Sequence, residues 1–75
     1  MTGTIARIID RGFGFIHDDH KVTYFFAARE CYSPFDSLKT GDAVAFDEGI
    51  DDTGKGPRAI RVARLVDLDT EEHNG

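Results

Sequence analysis

Tryptophan is absent from this chain, proline occurs twice, and cysteine and methionine occur once each. A single thiol, Cys31, excludes an internal disulfide and any cysteine-based zinc cluster, and it suits a reducing compartment. Long apolar runs are missing too. The longest, Tyr24 to Ala28, falls far short of the ~20 residues that a membrane-spanning helix needs. Nor is there an excess of positive charge: 9 basic residues face 14 acidic ones, for a net charge of −5. A strong, purely charge-driven grip on phosphate is therefore excluded. No paired acid–base or nucleophile constellation is present, so neither an enzyme nor a cofactor is expected. Met1-Thr2-Gly3 leads straight into a strand pattern, from which we expect no signal peptide and a cytoplasmic location.

What is there begins with size. Seventy-five residues suffice for one small domain, which buries only about 60% of its unfolded surface and needs an economical architecture. Strand patterns recur at short spacing: Thr4 to Ile9, Phe13 to His17, Val22 to Ala27, Ala43 to Asp47 and Ile60 to Val66. Turn-forming residues separate them at Asp10-Arg11-Gly12, at Asp18-Asp19-His20, and over the long stretches Arg29 to Asp42 and Gly49 to Pro57. One helical turn is expected near Ala27 to Tyr32, cut short by Pro34. Five short strands with one long third connection predict a small all-β barrel. After Val66 come Asp67, Asp69, Glu71 and Glu72 with no base among them, while residues 1–66 hold 9 basic against 10 acidic residues. The domain is expected to span 1–66, with 67–75 as an acidic disordered tail.

The most informative segment is Arg11-Gly12-Phe13-Gly14-Phe15-Ile16, followed after a polar turn by Thr23-Tyr24-Phe25-Phe26. On a strand, Phe13 and Phe15 point to one face, with Gly14 and Ile16 on the other. Two same-face rings beside an arginine form a platform on which unpaired bases can stack, with the cation near phosphate. The same spacing also fits ordinary barrel core. Whether the rings face solvent separates the two readings.

Other motifs carry less. Gly49 to Lys55 fits the first half of a phosphate-binding loop, but Gly56 stands where a magnesium-binding Ser or Thr belongs. His17-Asp18-Asp19-His20 offers four metal-ligating types in a row. They alternate between sides of a strand end, so a solvated turn is expected, not a metal site. Cys31 has no base beside it in sequence and reads as a small, partly buried hydrophobe. Arg58, Arg61 and Arg64 recur every three residues; on a regular strand Arg58 and Arg64 share one face and Arg61 takes the other. They read equally as a solvated surface with ion pairs to Asp67 or Asp69 and as nucleic-acid contacts.

Four segments in order resemble the cold-shock domain family. Arg11-Gly12-Phe13-Gly14-Phe15-Ile16 is similar to its Lys-Gly-Phe-Gly-Phe-Ile motif, and Tyr24-Phe25-Phe26-Ala27 to its Val-Phe-Val-His or Leu-Phe-Phe-His. Leu38 to Phe46 is similar to its Leu-x-x-Gly-x-x-Val-x-Phe stretch, and Gly56 to Val62 to its Gly-Pro-x-Ala-x-x-Val ending. The resemblance runs from Gly3 to about Leu65. It implies a five-stranded antiparallel OB-fold barrel that binds single-stranded RNA or DNA, RNA-chaperone-like and non-catalytic, as a monomer without membrane contact. Carried over residue by residue, it implies stacking by Phe13, Phe15 and Phe25, with Phe35 as a fourth ring from the long loop. Arg7, Arg11 and Lys55 would lie near phosphates. The departures are specific: Ala6-Arg7-Ile8 stands where the family has Lys-Trp-Phe, and Ala27 replaces a binding histidine. Each lost stacking group removes roughly 1–3 kcal/mol. The alternative is therefore a protein-interaction module that kept the barrel and lost much of its nucleic-acid affinity.

Overall fold

Apolar side chains at alternating strand positions, such as Val44 and Phe46, turn inward and build the core of the barrel. In a computed structural model that describes residues 1–49 and 56–67, all five expected strands are present: β1 (Thr2–Ile9), β2 (Phe13–Asp18), β3 (Thr23–Ala27), β4 (Ala43–Gly49) and β5 (Arg58–Arg64). They close into a barrel in the order β1-β2-β3-β5-β4. Single turns of 3-10 helix at Ala28–Glu30 and Phe35–Ser37 punctuate the long β3–β4 connection. Ile5, Ile16, Phe26, Val44 and Val62 are the largest fully buried side chains, each contributing about 1.5–3 kcal/mol by leaving water.

The expectation of an antiparallel barrel needs one correction. β3 and β5 run parallel, with Phe25 opposite Arg58, and Cys31 bridges Val62 in the same sense. Geometry demands it: around a closed ring of five strands, up and down cannot alternate throughout, so at least one neighbouring pair must be parallel. The other four pairings are antiparallel.

Two irregularities shift the alternation. Between Ile5 and Arg7 the β1–β2 register slips, so Ile5 is in the core and Ile8 packs against it three residues later, leaving Arg7 exposed. On β5 the slip falls near Arg61, whose φ of 53° is the left-handed conformation that a bulge accommodates. Ala59 and Val62, three apart, are both fully buried. The expected sharing of a face by Arg58 and Arg64 is broken there, because the bulge inverts the parity between them.

Asp18 closes the β2–β3 turn. Its Oδ1 accepts from the N–H groups of His20 and Val22, both at 2.9 Å, and its Oδ2 accepts from the Tyr24 hydroxyl at 3.3 Å. Burial pulls this carboxyl upward, but the bonds from Val22, His20 and Tyr24 outweigh it and hold it below its ordinary value. At the end of β5, Arg64 donates from Nε and Nη2 to both oxygens of Asp67, each at 3.0 Å. Buried Ser33 joins them, donating to Asp67 and accepting from the Arg64 N–H. Asp67, read from sequence as the first residue of the tail, is thus bonded to the barrel; residues 68–75 lie outside the described residues.

Candidate nucleic-acid interface

Parity on β2 and β3 decides where the aromatic rings go. Gly14, Ile16, Tyr24 and Phe26 are buried, while Phe13, Phe15 and Phe25 are half-buried on the opposite, outer face. The pairing puts Phe15 directly opposite Phe25, and Phe13 opposite Ala27. Gly14 allows this closeness. A Cβ built there would sit 2.6 Å from the Arg7 carbonyl oxygen and 2.8 Å from the Phe26 ring, so only a hydrogen fits between the two layers.

The three outer rings form a triangle. Phe13 and Phe25 are tilted with centroids 5.5 Å apart, and Phe15 meets both nearly edge-on at 6.0 and 6.1 Å. Edge-to-face contacts of this kind add about 0.5–1.5 kcal/mol each, and part of each ring is left to solvent.

Arg7 is exposed and paired across the ladder with Phe15, so its guanidinium stem starts beside the triangle. Arg11 is exposed in the β1–β2 turn, which Gly12 completes at φ 93°. Phe35 stands on the long connection, outside the triangle, and is half-buried like its three rings. It is tilted against Phe26 at 6.2 Å and packs on the core from the long connection. With Ile8, Arg11 and Leu38 it lines a cavity of about 600 Å³. Lys55 lies outside the described residues, as does most of the Gly49–Lys55 loop.

Two further residues, left open by the sequence, stand on this face. His17 is exposed two residues beyond Phe15, opposite Thr4 and Thr23. Its parity with Phe13 and Phe15 was the signal for it. Arg58 stands beside Phe25 through the parallel β3–β5 pairing, for which local alternation carries no signal. Cys31 is half-buried, its thiol donating to the Ala27 carbonyl at 3.7 Å. Burial, helped by Glu30, pushes that thiol up to about 11, so it stays protonated at neutral pH and is a poor nucleophile.

Rings partly open to solvent, with exposed arginines on the neighbouring strand and turn, can stack planar π-faces and pair with phosphate. Among known proteins, no family model and no curated protein matches the chain.

Proposed function

We propose that the outer face of β1–β3 binds single-stranded nucleic acid without catalysis, on an OB-fold barrel of the cold-shock type. Bases lie on Phe13, Phe15 and Phe25, while Arg7 and Arg11 sit near phosphates. Binding that tolerates many sequences holds RNA or DNA unpaired in the manner of an RNA chaperone. The observation that carries this reading is the outer triangle of three phenylalanines on strands whose inner face already fills the core. Three large apolar rings left partly in water bury less than core rings would, and their open faces suit stacking.

A labelled pyrimidine-rich single strand, titrated by fluorescence anisotropy at several salt concentrations, tests it. With two or three cations near the strand, the log–log salt slope should be shallow, about −2. The double variant Phe13→Ala, Phe15→Ala should bind far more weakly while remaining folded. A folded wild-type protein with no affinity at low salt would overturn the reading. One observation favours a protein-docking role for the same face, the net charge of −5, and that outcome would turn the assignment toward it.

A further inference from the structure

Building on the stacking reading, we infer that the platform selects guanine, through the Arg58–Glu30 pair beside Phe25. Arg58 and Phe25 are Cα partners in the parallel ladder, so their side chains leave the barrel on the same face, with Ala59 and Phe26 buried behind them. The Arg58 guanidinium lies 3.8 Å from the Glu30 carboxylate, and their side chains are only 19% and 29% exposed. Arg61 and Asp47, by contrast, stand 62% and 55% exposed and approach to 3.2 Å. The most sheltered pair is therefore the loosest: 3.8 Å exceeds hydrogen-bond distance. A guanidinium fork and a carboxylate fork thus stand side by side, the guanidinium carried by the residue paired with Phe25 across the ladder.

Guanine is the base that engages both forks at once. Its O6 and N7 accept from a guanidinium in bidentate fashion, and its N1–H and N2–H₂ donate together to a carboxylate. Adenine, cytosine and thymine each offer one group a single contact or leave one fork unmatched.

The test uses labelled oligothymidine strands of about seven nucleotides, within the span of one such barrel, carrying guanine, adenine or inosine at the central position. The full chain should bind the guanine strand about tenfold more tightly than the adenine strand. Adenine controls for purine stacking. Inosine, which lacks N2, should fall between them. Arg58→Lys, which keeps charge but not the fork, and Glu30→Gln should each bring the guanine-to-adenine ratio down to parity. Equal binding of both strands by the wild type overturns this inference and leaves the stacking platform standing. Binding of neither strand overturns the platform and the inference together. A guanine preference that survives both substitutions overturns the assignment to this pair.

Discussion

The two faces of the β2–β3 ribbon carry the same kind of residue to opposite ends. Inward, Tyr24 and Phe26 are 5% and 0% exposed, with Tyr24 tilted against Phe46 at 5.0 Å. Outward, Phe13, Phe15 and Phe25 pack chiefly on each other. Residue type alone does not separate the groups; a one-residue change of parity does. The inner rings have no surface left to offer a ligand, and the outer rings contribute only part of their area to folding. An aromatic strand thus supports a binding hypothesis only when its other face has already supplied the core.

The sharpest way to break that comparison is to truncate one ring on each face. Phe26→Ala removes a fully buried side chain and should destabilise the barrel by about 3–5 kcal/mol, read from denaturant melts. Phe25→Ala, one residue away and half-buried, should cost clearly less stability but weaken single-strand binding by about 1–3 kcal/mol. Equal stability losses would mean that the outer triangle is a second core, and the distinction between the faces would collapse.

A smaller effect sharpens the outer face itself. Arg7 stands beside Phe15, and Ala27 opposite Phe13, so both border the triangle. Arg7→Trp with Ala27→His adds stacking surface at its two edges. Affinity for a pyrimidine-rich strand should rise several-fold by the same stacking energetics, with the melting midpoint little changed. Unchanged affinity in the folded double variant would show that bases do not reach these edges.

How much of this was legible in the sequence depends on whether the determining contact is local. The Phe13-Gly14-Phe15-Ile16 alternation gave both faces of β2, because parity is fixed by the strand itself. Strand existence was legible for the same reason. The β3–β5 pairing was not, since it joins strands that are not consecutive, and no pattern along the chain encodes it. Arg58 therefore stayed undecided until its neighbour was known. Nothing at Arg61 signals a left-handed backbone, so the parity inversion on β5 was hidden. The contact of Phe35 with Phe26 was hidden too, because a long connection carries no periodicity that says where its rings lean.

The comparison also extends to the two arginines at the ends of β5, one loose and one locked, and the smallest expected effect lies with the locked one. Arg64 grips Asp67 through two hydrogen bonds of 3.0 Å, and the Ser33 hydroxyl adds a third. Arg64 first and Ser33 second hold the Asp67 carboxyl below its ordinary value. A carboxyl whose value is lower in the folded than in the unfolded chain stabilises above the unfolded value, about 4. That stabilisation is lost as pH falls through the lower folded value. Asp67→Asn should therefore melt below the wild type at pH 7, with the gap narrowing below about pH 4 and closing near the folded value. Asp18, also held low, is common to both proteins and cancels from the difference. Both partners are partly exposed, so solvent screening keeps the gap small. Strand affinity at neutral pH should not change, because the hydrogen bonds of this cluster join Ser33, Arg64 and Asp67 and involve no residue of the phenylalanine triangle. A melting gap that persists undiminished into strong acid would show that Asp67 holds the chain by contacts indifferent to its charge. A loss of affinity would join this end of the barrel to the binding face and erase the contrast between the two arginines.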